Sequence, residues 1–262
     1  MGLFNKLSTT VAAAVVAVGL AISAPAANAG VIQLGFIMDS SGSIGSSNWN
    51  TIKGALANAV NTLVPTNGAY EISVVNFSNT TTTAVNHVLI DSVAARTSVA
   101  NEINAMAFIG STTNMAAAFG AMQTALGGSA QGMIDASYVN LATDGVPFVS
   151  GQTAAVSEAQ AIAARDALIT AGADNISIEA IGGGVDPAFL QNSICYPGPC
   201  TIAPTYAFPG NGFYIPVANA AEYASAIDNK IQVVTQQVPE PGMALIVALG
   251  VVGIAAARRK VA

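Results

Sequence analysis

The sequence predicts an α/β fold: a doubly wound, mostly parallel sheet with one antiparallel edge strand and helices on both faces. Short apolar runs typical of buried strands alternate along the chain with segments whose apolar residues recur at helical spacing. Such alternation is typical of a parallel sheet that helices cover on both sides. One connection is too short for a helix, because only a turn around Asn79 and Thr80 separates two strand-like runs. That pair predicts an antiparallel hairpin at the sheet edge.

The same two patterns place the remaining elements. Strands are predicted at residues 31–38, 70–77, about 82–90, 137–142, 176–181 and 213–217. Helices are predicted from Ser46 or Ser47 to about Leu63, and over about 98–106, 115–126, 154–171 and 223–234. The glycine run 182–184 lacks the spacing and the lysine of a nucleotide-binding loop, so it is interpreted as a backbone turn.

The first 29 residues have the pattern of a secretory signal peptide. Lys6 supplies the positive n-region, residues 11–22 form an apolar h-region, and Ala27-Asn28-Ala29 fits the small-x-small cleavage pattern. The h-region is shorter than the roughly 20 apolar residues of a membrane-spanning helix. We therefore expect export, with the mature chain beginning near Gly30.

A second targeting signal lies at the other end of the chain. Pro239, Glu240 and Pro241 precede an apolar stretch at residues 243–257 and the basic terminus at 258–260. This order resembles the PEP-CTERM sorting signal of Gram-negative bacteria, which implies processing by an exosortase and a place at the cell surface or in the extracellular matrix, reached through the inner membrane. The stretch would span about 22 Å at about 1.5 Å per residue. A permanent membrane anchor is the alternative, if the bilayer thins around it.

Between these signals, residues 30–238 are predicted to form one domain. Composition excludes some functions for this segment. It holds four basic and thirteen acidic residues, a net charge of −9, so it would repel nucleic-acid phosphates. The only histidine, His87, lies in a threonine-rich, strand-like stretch, which argues against Ser-His-Asp catalysis. Cys195 and Cys200 flank a loop rich in proline and glycine, and in an exported protein they predict a disulfide rather than a zinc site.

Oxygen-bearing side chains cluster after the predicted strands. Asp39, Ser41 and Ser43 follow the first strand at i, i+2 and i+4, Thr112 lies in the loop before a helix, and Asp144 follows a later strand. Open α/β sheets bind their ligands at the carboxyl ends of the strands, so these loops are expected to converge. Oxygen-only ligation is what Mg²⁺ prefers, with Mn²⁺ or Ca²⁺ as alternatives. Two carboxylates would balance the metal charge and leave a position for one anionic ligand oxygen.

This set of residues resembles the von Willebrand factor A (vWA) domain with its metal-ion-dependent adhesion site (MIDAS). Residues 39–43 match the family's DxSxS motif, residues 110–112 match the loop that carries its threonine, and residues 143–145 match its TDG-like turn. Thr113 is an alternative to Thr112 as the ligand. The resemblance covers residues 31 to about 238, and the cysteine loop departs from a minimal vWA domain.

The resemblance implies a non-enzymatic, exported adhesion or interaction protein. Its metal would bind a carboxylate of a protein or an acidic polysaccharide. A structural matrix protein, whose metal only stabilises the fold, is the alternative. A magnesium-dependent phosphatase is less favoured, because such enzymes need a second carboxylate two residues after the first and position 41 is serine.

Overall fold

The computed structural model describes residues 30–198, 200–202 and 208–237. They form a seven-stranded sheet in the order β3-β2-β1-β4-β5-β7-β6. All neighbouring strands are parallel except β2 and β3, which form the antiparallel hairpin at one edge. The predicted fold class is therefore confirmed. The predicted signal peptide and the sorting tail, including Pro239, Glu240 and Pro241, lie outside the described residues.

The elements follow one another in the predicted alternation. The strands are β1 (Val31–Asp39), β2 (Tyr70–Phe77), β3 (Thr81–Leu89), β4 (Ile134–Thr143), β5 (Asn175–Ile181), β6 (Thr201–Ile202) and β7 (Phe213–Val217). The helices are α1 (Gly45–Leu63), α2 (Val93–Ala105), α3 (Met115–Gly127), α4 (Ala154–Thr170), the single turn α5 (Pro187–Phe189) with a π-helical extension (Leu190–Ile194), and α6 (Tyr223–Gln237). No helix within the described residues is long and apolar enough to cross a membrane.

Two hydrophobic clusters lie on opposite faces of the sheet. One packs α1, α2 and α6 against alternate residues of β1, and the other packs α3 and α4 against the opposite face. Strand β1 is buried along its whole length, as expected for a central parallel strand. Strand β1 and α3 approach closely at Gly35, where a Cβ would lie 2.7 Å from Met122 Sδ of α3 and would require that side chain to move. The core therefore fixes β1, and β1 positions the loop that follows it.

The structure differs from the predicted elements at several places. The short helical segment at residues 187–194 was not predicted, and β4 begins at Ile134, three residues before its predicted start. Helix α2 begins at Val93, five residues before the predicted start, because the Ser92 side chain accepts a hydrogen bond from the Ala95 amide at 3.1 Å and caps it. Strand β6 was not predicted; it is a two-residue strand at the outer edge that follows the cysteine loop. Cys195 and Cys200 form the predicted disulfide.

Candidate metal centre

The candidate site lies at the carboxyl ends of two adjacent parallel strands. Strands β1 and β4 are paired up to Met38 and Ala142, so Asp39 and Asp144 leave the sheet side by side. Parallel strands present their carboxyl ends at one edge, which is why residues a hundred positions apart meet here. The sheet thus brings together the two carboxylates that the sequence places after separate strands.

Asp39 forms the buried floor of the site. Its side chain is fully buried, and its two carboxylate oxygens accept separate hydrogen bonds. The Ser41 amide donates to Oδ1 at 2.8 Å, and the Thr143 hydroxyl donates to Oδ2 at 2.7 Å. These contacts lock the orientation of the carboxylate and tie the β1–α1 loop to the end of β4.

The Ser43 hydroxyl joins the first loop to the second carboxylate. It donates to Asp144 Oδ1 at 2.7 Å and lies 3.1 Å from the Ser41 hydroxyl. Ser41 is buried, whereas Ser43 is exposed and Asp144 is partly exposed. The site therefore has a closed side at Asp39 and Ser41 and an open side at Ser43 and Asp144.

The structure separates the two threonines that the sequence left as alternatives. A Cβ placed on Gly145 would lie 3.7 Å from Thr113 Oγ1 and 3.9 Å from Ser43 Oγ, so these two hydroxyls flank the same point beside Asp144. The structure shows no corresponding contact of the Thr112 hydroxyl with this cluster, and the Thr112 main-chain carbonyl accepts a hydrogen bond from Ser78 at 2.8 Å. The geometry favours Thr113 over Thr112 as the threonine of the site.

Ser78 is a structural residue of the site that the sequence analysis missed. Besides its bond to Thr112, its hydroxyl accepts from the Ser111 amide at 2.9 Å, and its carbonyl accepts from the Asn114 amide at 2.9 Å. The loop is also bound to the DxSxS turn by the Gly42 amide, which donates to the Ser111 carbonyl at 2.8 Å. Ser78 directly follows β2, so the rule that located Asp39 and Asp144 would have located it.

The electrostatics of the site favour a bound cation. Burial raises the pKa of Asp39 from 3.8 to about 6, against hydrogen bonds from Thr143 and Ser41 that lower it, and the nearby Asp144 raises it further. Burial also raises the pKa of Asp144, while the bond from Ser43 lowers it. Neither ion pair within the described residues involves these two carboxylates. Their negative charge is thus not balanced by a cationic side chain in an ion pair.

The donor set fits a hard divalent cation. Oxygen atoms of carboxylates and hydroxyls are the ligands of Mg²⁺ and Mn²⁺, whereas Zn²⁺ usually takes nitrogen or sulfur as well. No group of three or more His, Cys, Asp or Glu residues suited to a metal occurs in the described part of the chain. A cation here would therefore depend on two carboxylates and neutral hydroxyls.

Comparison with known families gives two matches in sequence. Residues 33–203 match the model for the von Willebrand factor type A domain. Residues 237–260 match the PEP-CTERM protein-sorting motif, which implies export and exosortase processing in bacteria. No curated protein matches the chain.

Solved structures of similar fold include matrix and adhesion proteins. Proximal thread matrix protein 1 from the mussel byssus matches with 17% identity and a TM-score of 0.59, over 79% of this chain and 48% of that chain. The pilus adhesin SpaC from Lactobacillus rhamnosus GG matches with 11% identity and a TM-score of 0.60, over 79% and 31%. A von Willebrand factor type A protein from Catenulispora acidiphila matches with 17% identity and a TM-score of 0.59, over 79% and 43%.

Each of these matches spans less than half of the other protein, and at such identities the likeness shows the fold alone. A further structure of the mussel protein, with a TM-score of 0.54 and 17% identity over 79% of this chain and 46% of that chain, has a zinc-occupied MIDAS motif. The sequence match, by contrast, covers more than half of this chain. The protein belongs to the von Willebrand factor type A domain family.

Proposed function

We propose that this protein is an exported, non-catalytic adhesion or interaction protein that binds an anionic partner through a divalent cation. The observation that carries the proposal is the hydrogen-bonded cluster at the strand ends. The Ser41 main-chain amide donates to Asp39, the Ser41 and Ser43 hydroxyls are in contact, and the Ser43 hydroxyl donates to Asp144. Mg²⁺ is the proposed metal, with Mn²⁺ or Ca²⁺ as alternatives, because all the donors are oxygen atoms.

Each residue has a distinct proposed role toward the cation. Ser41, Ser43 and Thr113 would offer hydroxyl oxygens, Asp144 would offer a carboxylate at the open side, and Asp39 would supply negative charge from beneath. Since two carboxylates balance the metal without exceeding its charge, the cation would provide a positive centre for one further anionic oxygen. A carboxylate of a protein or of an acidic polysaccharide is the proposed source of that oxygen.

The surface beside the cluster supports a role in partner binding. Phe148 is 50% exposed, and its amide donates to the Thr113 carbonyl at 3.0 Å, so an exposed aromatic ring borders the open side. Aromatic side chains are enriched among residues that dominate binding energy at protein interfaces. An apolar contact at Phe148 would add selectivity to the generic attraction between cation and anion.

The geometry at Asp39 argues against the phosphatase alternative. A nucleophilic carboxylate must reach substrate with a free oxygen. Asp39 is fully buried and both of its oxygens accept hydrogen bonds within the protein. The second carboxylate that a phosphatase would use as general acid is replaced by Ser41. These features support a binding function.

Location follows from the sorting tail. The proposed path is export through the inner membrane of a Gram-negative bacterium, exosortase processing at the tail, and retention at the cell surface or in the extracellular matrix. Deleting residues 238–262 should release the protein into the medium, measured by immunoblotting of cell and medium fractions. Unchanged fractionation would argue against this location.

Metal binding is tested by isothermal titration of the purified protein with MgCl₂ and MnCl₂. Asp39→Ala and Asp144→Ala should abolish the binding heat, whereas Asp91→Ala, at a carboxylate outside the cluster, should leave it unchanged. Binding that survives both site substitutions would refute the metal site.

The partner is tested by pull-down from the producing organism's matrix in Mg²⁺ and in EDTA. Capture that disappears in EDTA and falls for Phe148→Ala supports adhesion through the cation. Capture that ignores EDTA would instead favour the structural alternative, in which a metal only stabilises the fold.

A further inference from the structure

A second polar cluster is buried beneath helix α6, away from the strand ends. It consists of Lys230 of α6, Asn140 of β4 and Glu179 of β5, and is called here the Lys230 cluster. Lys230 Nζ contacts Asn140 Oδ1 and lies 3.4 Å from Glu179 Oε1. The Lys230 side chain is only 6% exposed, and that of Glu179 is fully buried. The Phe213 ring, with its centroid 5.0 Å from Nζ, closes one side.

The surroundings of these groups oppose their charged forms. Burial lowers the pKa of Lys230 to about 8, although Glu179 acts to raise it. Burial raises the pKa of Glu179, although Lys230 and then Asn140 act to lower it. Neither Glu179 oxygen nor Asn140 Nδ2 has a hydrogen-bond partner of good geometry among the described residues. The neutral amine of Lys230 and the protonated acid of Glu179 are therefore accessible beside the Asn140 carboxamide.

We propose that Lys230 and Asn140 form an intramolecular isopeptide bond, assisted by Glu179. In this reaction Lys230 Nζ attacks Asn140 Cγ, an Nζ–Cγ amide bond forms, and the Cγ–Nδ2 bond breaks. Glu179 takes the proton released by the amine and delivers it to the departing Nδ2, so that ammonia leaves. No oxidant, nucleotide or other co-reactant is consumed, and Glu179 ends in the state in which it began.

The structure supplies the conditions that such an aminolysis needs. An unactivated carboxamide reacts with an amine only when the two groups are held in contact, and fixed orientation of this kind is worth effective molarities of about 10⁵ M or more. Asn140 and Lys230 both line a small, mainly apolar cavity, together with Phe208 and Ile231. This cavity has room for one water-sized molecule, such as the leaving ammonia. The apolar walls lower the pKa of the amine and so increase the fraction that is neutral and nucleophilic.

The other lysine within the described residues, Lys53, has no such contact with a side-chain carboxamide. Lys53 Nζ donates to the main-chain carbonyl of Met106 at 2.8 Å, a group that also accepts from the Trp49 indole at 3.3 Å. That contact is an ordinary side chain to main chain hydrogen bond. Lys53 therefore provides a matched control for Lys230.

The bond would give α6 a mechanical role. Helix α6 ends at Gln237, immediately before the sorting tail, so tension on a tail-anchored protein reaches α6 first. Without the bond, α6 is held to the sheet by non-covalent packing alone. With it, tension passes at Lys230 directly into β4, which is hydrogen-bonded to β1 on one side and β5 on the other.

Tryptic mapping of the full chain tests the proposal without depending on how the ends are processed. Trypsin does not cut at an acylated lysine, so the wild type should yield peptide 97–165 joined to a peptide that begins at Asp166 and continues past Lys230. The joined mass should be lower by one ammonia, about 17 Da. Lys230→Arg and Asn140→Ala should yield 97–165 and 166–230 as separate peptides, and Lys53→Arg should keep the link.

Glu179→Gln tests the proposed proton transfer, since both reacting side chains remain in place. It should yield separate peptides while its circular dichroism spectrum stays that of the wild type. A link formed to the same extent in this variant would remove Glu179 from the mechanism. A free 166–230 peptide from the wild type would overturn the Lys230–Asn140 bond itself. So would a peptide that begins at Asp166, continues past Lys230 and has lost one water without being joined to 97–165, because that is the product of a bond between Lys230 and Glu179.

Discussion

Asp39 and Glu179 are both fully buried carboxylates of the same sheet, and burial raises the pKa of each, yet their surroundings differ. Asp39 accepts hydrogen bonds on both oxygens and has no cationic side chain in an ion pair, and its neighbours Ser43 and Asp144 reach solvent. Glu179 has the cation Lys230 beside it but lies away from solvent. The arrangement at Asp39 favours binding of a cation from solution. The arrangement at Glu179 favours a reaction between neighbouring side chains.

Glu71 is a third buried carboxylate, for which we propose neither metal binding nor a reaction. Its Oε1 accepts from Gln33 Nε2 at 3.1 Å, and its Oε2 accepts from the Ser129 hydroxyl at 2.8 Å. The Ser137 hydroxyl completes the network by donating to Gln33 Oε1 at 2.6 Å. Glu71 thus has partners on both oxygens, whereas neither oxygen of Glu179 has a hydrogen-bond partner of good geometry among the described residues.

The largest expected effect is the loss of folding stability in a variant that cannot form the Lys230–Asn140 bond. The proposed bond closes a loop between positions 140 and 230. By the chain-entropy argument used for disulfides, such a cross-link stabilises the fold by about 5 kcal/mol. Asn140→Ala should therefore lower the free energy of unfolding by about that amount in urea denaturation. Ser129→Ala, which removes one bond to Glu71, is the control and should cost about 1 kcal/mol; equal losses for both variants would contradict the cross-link.

A smaller change in folding stability is expected when Asp39 ionises. Because the folded pKa of about 6 lies above the ordinary 3.8, ionisation of Asp39 destabilises the metal-free fold. Stability should fall as pH rises from about 4 to 6, by about 3 kcal/mol, and stay low above pH 6. Mg²⁺ should restore it at pH 7. Thermal unfolding in EDTA and in MgCl₂ measures both effects.

Asp39→Asn removes the titrating group and is the matched variant for that experiment. In EDTA, this variant should not show the loss of stability that the wild type shows between about pH 4 and 6. Adding Mg²⁺ at pH 7 should therefore not raise its stability as it does that of the wild type. If the loss persists unchanged, a group other than Asp39 is responsible.

The smallest expected effect distinguishes the two threonines. Thr113→Val should weaken Mg²⁺ binding on the order of tenfold, because one neutral oxygen ligand contributes about as much as a hydrogen bond to a charged group. Thr112→Val should leave the affinity unchanged. Isothermal titration measures both, and the reverse order would return Thr112 to the site.

The sequence predicted most of the fold because its signals are local. Apolar runs and helical spacing located the central strands and the main helices, and a short turn located the antiparallel edge. Helix α2 was misplaced at its start, because only Val99, Ala100 and Ile103 of its residues are buried and its apolar pattern is correspondingly weak. The choice between Thr112 and Thr113 was left open for a related reason, since adjacent residues of an irregular loop have no periodic pattern to show which one faces the site.

The sequence by itself determined the fold class and the DxSxS cluster, because residues 39–43 are neighbours in the chain and their spacing is set by one turn. It also predicted two targeting signals, of which the sorting tail is matched by a family model and the signal peptide stays a prediction. Only the tertiary structure joined Asn140, Glu179 and Lys230, which belong to two strands and a helix and are separated by up to 90 positions. A single polar residue within an apolar strand or helix has no spacing that reveals its partner. The packing of α6 on the sheet provides that information.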